Sequence, residues 1–330
     1  MSLKSLVAVC AFALALYGPV VASQQAGRGG ASAPSVPDLP IGKTMFWTAA
    51  EIEARWKENE SLKRANSRLF NGPTNISANV RIVLPGDPPL THATTADLWI
   101  VTAGTAVART DGNVIGAIGA QSIGNATART LGPGDVLYVP PGVPHHFTDV
   151  KGFRAWLMRF DTIGLVRTRP APPTEAPAAR AATPTAPAPS VPNAATDKTM
   201  FWPAADIEAR WKDNEANTRI NSRIYNAPAN ISANVRIVLP NDPPLRHVET
   251  ADLWLAMEGE AVARTDGEIV QVNGTSTIRN AVARTMRPGD LLYVPPGVPH
   301  HFTDMKGFRA WLIRYDVEGW AQAALTQGGR

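Results

Sequence analysis

The chain has almost no cysteine, which excludes several kinds of cross-link and metal site. Only Cys10 is present among 330 residues, and it lies inside the apolar run Leu6–Leu16. Lys4 before that run and a small-residue cleavage site at Ala22 are typical of a secretory signal peptide over residues 1–22. After cleavage the chain would lack disulfides and thiolate ligands. We therefore expect an exported protein, either periplasmic or secreted.

Dense positive charge and long apolar runs are also missing. The formal net charge is only +4, with lysine and arginine scattered among acidic residues, whereas nucleic-acid-binding proteins usually cluster their basic residues on one face. The apolar run near the N-terminus is too short to span a bilayer. Neither a nucleic acid partner nor a membrane span is expected. The sequence also has no phosphate-binding loop, nucleophile elbow or zinc-finger spacing.

Internal repetition is the strongest positive feature of the sequence. Residues 43–161 recur without a gap as residues 198–316, and the block Tyr138–Asp149 reappears unchanged as Tyr293–Asp304. This period is far longer than the roughly 20–50 residues of solenoid repeats. All six histidines lie in the two copies at matching places. The pattern indicates a duplicated domain, in which any chemistry is expected to occur twice.

Composition sets the predicted domain boundaries. Residues 23–42 are rich in Gly, Ala, Pro and Ser and are predicted to be a disordered leader. Residues 162–197 are crowded with Pro and Ala, which favours an extended, semi-rigid linker. The predicted domains are therefore 43–161 and 198–320, followed by a C-terminal tail at 321–330.

Each copy is predicted to begin with a short helix and to continue as strands. Thr48 and Glu51 form a capping-box pattern, Ile52 and Trp56 lie on one helical face, and Pro203 is a good first-turn residue in copy two. Short apolar segments separated by Gly/Pro turns follow. The predicted strands of copy one are Val80–Leu84, Leu98–Thr102, Ala106–Arg109, Val136–Val139 and Phe153–Phe160. This arrangement predicts an all-β sandwich or barrel.

A four-residue pattern near the end of each copy carries a family resemblance. Gly134, Pro140, Gly142 and His145 match the second cupin motif, G-x5-P-x-G-x2-H, at every fixed position. The same positions of copy two are Gly289, Pro295, Gly297 and His300. The chain therefore resembles a bicupin over both copies, although Asp149 stands where the motif ends in Asn. The resemblance implies two tandem cupin-type β-barrels of the jelly-roll class, paired as an intramolecular pseudo-dimer.

The first cupin motif, H-x-H-x3–4-E-x6-G, matches only in part. Counting back from Gly104 places Asp97 at the Glu position, His92 at the second His and Leu90 at the first. The matching residues of copy two are Gly259, Asp252, His247 and Leu245. The resemblance thus implies a metal site in each copy that has lost one histidine. The implied ligands are His92, Asp97 and His145, with His247, Asp252 and His300 in copy two.

Two imidazoles and one carboxylate suit a divalent transition metal such as Mn, Fe, Co, Ni or Zn. Such sets with open positions polarise a substrate or activate oxygen. The alternative is a pocket without metal, as in some relatives of the cupins, where the histidines are ordinary core or acid–base residues.

Other residues near the predicted sites have open roles. His146 and His301 follow the ligand candidates directly, so strand alternation predicts that they face the opposite side. Trp99 and Trp254 share the inward face with the aspartates, either as substrate-stacking walls or as core residues. Glu249, which replaces a threonine of copy one, is a candidate base or extra ligand in copy two only.

Two functions fit these patterns. The first is a metal-dependent oxidoreductase or lyase for a small oxygen-rich organic molecule, with reaction types such as dioxygenation, oxidation or decarboxylation implied by the resemblance. The second is a non-catalytic envelope protein that binds a metal, a sugar or a small acid.

Overall fold

The computed structural model describes residues 36–40, 42–71, 76–161, 190–226 and 232–316. The predicted signal peptide, most of the leader, most of the linker and the C-terminal tail lie outside these residues. The described part is predominantly strand with one short helix per repeat, so the all-β prediction is confirmed. The described helices contain 14 and 13 residues and fall short of the length and hydropathy that a membrane-spanning helix requires.

The two repeats contain the same elements in the same order. The elements of the first repeat are β1 (Met45–Trp47), α1 (Ala49–Leu62), β2 (Asn66–Arg68), β3 (Ser77–Ile82), β4 (Thr95–Thr110), β5 (Asn113–Ile115), β6 (Ser122–Gly124), β7 (Thr127–Leu131), β8 (Val136–Val139) and β9 (His145–Asp161). Those of the second repeat are β10 (Met200–Trp202), α2 (Ala204–Ala216), β11 (Asn221–Asn226), β12 (Ser232–Ile237), β13 (Thr250–Thr265), β14 (Glu268–Val272), β15 (Thr275–Arg279), β16 (Val282–Met286), β17 (Leu291–Val294) and β18 (His300–Asp316).

Helix α1 forms where the capping pattern predicts it. Thr48 accepts from the Glu51 backbone N–H, Glu51 accepts from that of Thr48, and Ile52 and Trp56 are buried. The Trp56 ring packs edge-on against Trp156 of β9, with 5.5 Å between ring centroids. In the second repeat Pro203 precedes the helix at the N-cap instead of lying in its first turn. This differs from the prediction because its backbone is extended there, with ψ at 153°.

Each large sheet is built around two long antiparallel strands. The strand order is β10-β8-β4-β9-β3-β2 in one sheet and β1-β17-β13-β18-β12-β11 in the other. Strand β4 runs unbroken through two segments that were predicted as separate strands. Irregular register between Val101 and Val107 absorbs the turn expected there. The prediction was wrong at this point because Gly104 bends the strand without ending it.

The repeats exchange their first strands. Strand β1 pairs with β17 of the second repeat, and β10 pairs with β8 of the first. Both helix N-termini bind an aspartate of the opposite repeat: the N–H of Ala49 donates to Asp290, at 2.6 Å, and that of Ala204 donates to Asp135, at 2.7 Å. One apolar cluster contains buried residues of both repeats, and each repeat has a second cluster whose buried residues all belong to that repeat.

Candidate functional site

A buried carboxylate forms the centre of each candidate site. Asp97 in β4 lies opposite Arg159 in β9 and has no exposed surface. Arg159 donates from Nε and Nη2 to the two carboxylate oxygens, at 2.8 and 2.9 Å. Burial alone would raise the pKa of Asp97, but the charge and hydrogen bonds of Arg159 outweigh it and hold that pKa well below its usual range. Asp97 is therefore ionised at neutral pH.

Two histidines meet this carboxylate from different parts of the chain. The Nε2 atoms of His92 and His145 each lie 3.5 Å from Asp97 Oδ2. The backbone holds them there: the N–H of Gly142 donates to the His92 carbonyl at 2.7 Å, and Leu90 and His145 exchange two backbone hydrogen bonds of 2.9 Å. The turn that contains Gly142 and His145 thus fixes the position of the segment that contains Leu90 and His92.

His145 has the properties of an uncharged ligand. Burial lowers its pKa to about 4, and the nearby Asp97 only partly opposes this shift. Its Nδ1 faces the Val143 carbonyl at 3.4 Å, which is the kind of backbone contact that fixes the tautomer of metal-binding histidines. Its Nε2 is buried and has no hydrogen-bond partner among the described residues. A lone pair is therefore available at the centre of the site.

The second repeat reproduces this arrangement. Arg314 donates to Asp252 at 2.7 and 2.8 Å, and the Nε2 atoms of His247 and His300 lie 3.6 and 3.5 Å from Asp252 Oδ2. Burial lowers the pKa of His300 to about 3. The six predicted metal ligands are thus brought together in two groups of three, as the sequence predicted.

Both groups fit a transition-metal ion. The ligand atoms of each group lie within 4.8 Å of one another, and three donors at about 2.1 Å from one ion are separated by distances of this order. The buried Nε2 atoms of His145 and His300 have no hydrogen-bond partner in the part of the chain that the structure describes, which is expected of nitrogen atoms that bind a metal ion. Each repeat therefore has a site that could hold one metal ion.

The arginines of both sites were missed by the sequence analysis. Arg159 and Arg314 lie far from His92 and His247 along the chain, and no motif contains them. A signal was nevertheless present: each arginine interrupts an otherwise apolar segment of its strand, at residues 155–160 of β9 and 310–315 of β18, and a cation that is mostly buried needs a partner. The strand register supplies it, because each arginine lies directly opposite an aspartate.

The remaining predicted residues lie around the centre. Trp99 is fully buried and packs against Phe147, with 4.6 Å between ring centroids, and Trp254 is buried in the same way. This fits the core alternative, and a substrate contact stays a prediction. His146 binds the Asp87 carbonyl through Nε2 at 2.9 Å, and His301 does the same in repeat two. Glu249 is partly exposed, and its role as a base stays a prediction.

Comparison with known proteins gives structural neighbours only. No family model and no curated protein matches the sequence. The chain is similar to HEPD of Streptomyces albus, solved with 2-hydroxyethylphosphonate and Fe(II) bound, at 12% identity and a TM-score of 0.45, with 88% of this chain and 81% of that chain covered. A cupin 2 conserved barrel domain protein from Leptotrichia buccalis matches at 11% identity and a TM-score of 0.45, covering 86% and 100% of the two chains.

Oxalate decarboxylase from Bacillus subtilis matches at 13% identity and a TM-score of 0.37, covering 86% of this chain and 74% of that chain. At such identities and TM-scores these neighbours indicate no activity for this chain.

Proposed function

We propose that each repeat binds one divalent transition-metal ion and that the chain is an exported enzyme of dioxygenase, oxidase or decarboxylase type. Its substrate would be a small oxygen-rich organic molecule. One observation carries the proposal: in both repeats a buried imidazole Nε2 that has no hydrogen-bond partner among the described residues lies 3.5 Å from an ionised aspartate.

The residues of the chain have distinct roles in this proposal. His92, Asp97 and His145 would hold the ion in repeat one, and a bound ion supplies Lewis acidity at neutral pH. The low pKa of His145 keeps its imidazole neutral and able to bind. Because Leu90 stands where the motif has a histidine, a bound ion would have no fourth protein ligand there and could take a substrate oxygen. Glu249 would accept or deliver a proton in repeat two.

Export and assembly belong to the same proposal. The signal-peptide pattern of residues 1–22 supports a periplasmic or secreted location. The exchanged strands β1 and β10 support an intramolecular pseudo-dimer, because each repeat contributes a strand to the sheet of the other.

Metal analysis of the mature protein tests the proposal. We expect one ion per repeat in the wild type and almost none in a His145→Ala/His300→Ala variant. The matched control is His146→Ala/His301→Ala, which removes neighbouring histidines that bind loop carbonyls and should retain the metal. A wild-type protein that stays free of metal after growth with Mn(II), Fe(II) and Zn(II) would contradict the proposal. Turnover of phenolic or carboxylic substrates then decides whether the metal protein is an enzyme.

A second function is favoured by the arginine in each site. Arg159 lies 3.0 Å from His92 Nε2 and its side chain is 26% exposed, and an accessible guanidinium can hold a small acid that the protein does not convert. In that case a carboxylate ligand would raise the melting temperature, and no product would form in the same substrate screen.

A further inference from the structure

Each candidate metal site already contains a cation of the protein itself. Arg159 Nη2 lies 2.9 Å from Asp97 Oδ2 and 3.0 Å from His92 Nε2, and the corresponding distances of Arg314 are both 2.8 Å. Two of the three atoms that could bind an ion are therefore engaged by a guanidinium. Because the arrangement recurs in both repeats, it is a property of the site.

A guanidinium and a divalent ion at these positions would repel each other. Since His92 Nε2 and Asp97 Oδ2 are 3.5 Å apart, an ion bound to both at about 2.1 Å would lie within about 3.5 Å of Arg159 Nη2. Like charges this close repel strongly even at an effective dielectric constant of about 20. The ion and the guanidinium therefore compete for one carboxylate.

The surroundings give a displaced guanidinium little compensation from the protein. Burial lowers the pKa of Arg81 to about 10 and that of Arg68 as well, and the charge of Arg159 lowers both further. Arg81 is paired with Asp87 only at 3.7 Å. With an ion on Asp97, these arginines would leave the site with excess positive charge. An anionic group is the chemistry that would balance it.

We propose that Arg159 and Arg314 are tethered competitors of the metal, which release the aspartate when an ion binds and then bind an anionic group, such as a carboxylate, of the substrate. This inference rests on the proposed function, since it requires the sites to bind metal. It predicts that the ion and an anion bind cooperatively, and thermodynamic linkage makes the effect mutual. The arginines would thus contact the substrate, and their effect on metal binding is measurable without turnover.

Titration with Mn(II) alone tests the competition. Arg159→Met/Arg314→Met removes both guanidiniums while keeping the length of the side chains, and we expect Mn(II) to bind roughly tenfold tighter or more. Sodium acetate, added at constant ionic strength, should tighten Mn(II) binding to the wild type and not to this variant. The matched control is Arg154→Met/Arg309→Met, which removes arginines of the same strands that pair with helix glutamates outside the site; its affinity should equal that of the wild type.

The outcomes separate the inference from the proposed function. If the wild type binds Mn(II) and the Arg159→Met/Arg314→Met variant binds it no tighter, the competition is wrong and the proposed function is unaffected. If only the variant binds, the competition is supported and the metal-dependent function fails. If neither binds, both fail. An equal effect of acetate on wild type and variant would overturn the anion-binding role.

A second measurement uses only wild-type protein, in case the variant does not fold. Protein labelled with 15N-arginine should show protected Nε–H signals from Arg159 and Arg314, because both bind buried carboxylates through Nε, at 2.8 and 2.7 Å. Arg154 and Arg309 donate through Nε to helix glutamates outside the site, and their signals serve as internal controls. Stoichiometric Zn(II) should shift the signals of Arg159 and Arg314 and increase their exchange with solvent. If these two signals stayed unchanged at full Zn(II) occupancy, the proposal would be overturned.

Discussion

Asp97 and Asp252 are charged residues in almost complete isolation from solvent. A buried carboxylate is costly unless it is paired and hydrogen-bonded, and Arg159 and Arg314 meet both conditions. In each site both histidines and the arginine contact the same aspartate. Substitution of the aspartates should therefore affect stability as well as metal binding.

Asp97→Asn should lower the free energy of unfolding by about 3 kcal/mol, because it leaves the charge of Arg159 without its partner. Urea unfolding measures this change. Adding Arg159→Met should restore more than half of the loss. The surface pair between Arg154 and Glu60 offers a control: Glu60→Gln should cost about 1 kcal/mol or less. Equal losses of stability for Asp97→Asn and Glu60→Gln would contradict the prediction that breaking the Asp97–Arg159 pair costs more than breaking a surface pair.

The two buried histidines make stability depend on pH. Burial lowers the pKa of His145 to about 4 and that of His300 to about 3, against about 6.5 in an unfolded chain. Below pH 6.5 the unfolded state therefore binds protons that the native state does not, and stability falls as the pH falls. Between pH 7.5 and 5.0, chelator-treated protein should lose about 2 kcal/mol for each of these histidines.

Unfolding in urea at the two pH values checks this dependence. His145→Gln/His300→Gln should be much less sensitive to pH than the wild type. If the free energy of unfolding fell equally between the two pH values in the variant and in the wild type, groups other than these histidines would cause the loss.

The sequence predicted six metal ligands and left out the two arginines, for a physical reason. The ligands lie in motifs of fixed spacing, whereas Arg159 meets Asp97 only through strand register. Register depends on the bulges of β4, which no pattern in the sequence specifies. A charge inside an apolar strand indicates that a partner exists without identifying it.

At the scale of elements, β4 shows how a glycine can bend a strand without ending it. Gly104 has a φ of +66°, and a Cβ atom there would lie 2.2 Å from the Gly152 carbonyl oxygen. The sequence predicted two separate strands here, at residues 98–102 and 106–109, although a glycine inside a strand often marks a bulge or a bend. By contrast, β8 covers the predicted Val136–Val139, because turn residues bound it on both sides.

Gly104→Ala should destabilise the protein by about 3 kcal/mol or more, since it adds a clash with backbone to an unfavourable φ. Gly152→Ala is the matched control: its φ is +56°, but no atom of the described chain lies within 4 Å of the added Cβ. We expect it to cost only about 1 kcal/mol. Thermal unfolding measures both, and similar losses would show that backbone conformation alone decides the effect.

At the scale of the whole molecule, the exchanged strands join the repeats. Met45–Trp47 and Met200–Trp202 have the same sequence, Met-Phe-Trp, and pair with the nearly identical strands β17 and β8. For this reason the sequence could not predict which repeat each strand would join. Either pairing buries the same side chains.

Residues 190–330 expressed alone should form a homodimer. Without β1, the edge of β17 is unpaired, and β10 of a second copy has the sequence required to complete it. Light scattering during gel filtration measures the mass. Deletion of Met200–Trp202 should abolish the dimer, and a monomeric intact fragment would contradict the exchange.

The exchanged strands also affect the order in which the protein matures. While a ribosome is still synthesising the second half, the first half lacks the outermost strand of its sheet, and β8 has an open edge at which chains can aggregate. Translation proceeds at about 5–20 residues per second, so the distance from β8 to β10 corresponds to several seconds of exposure. A polypeptide that crosses a membrane unfolded and folds only after release would avoid this interval.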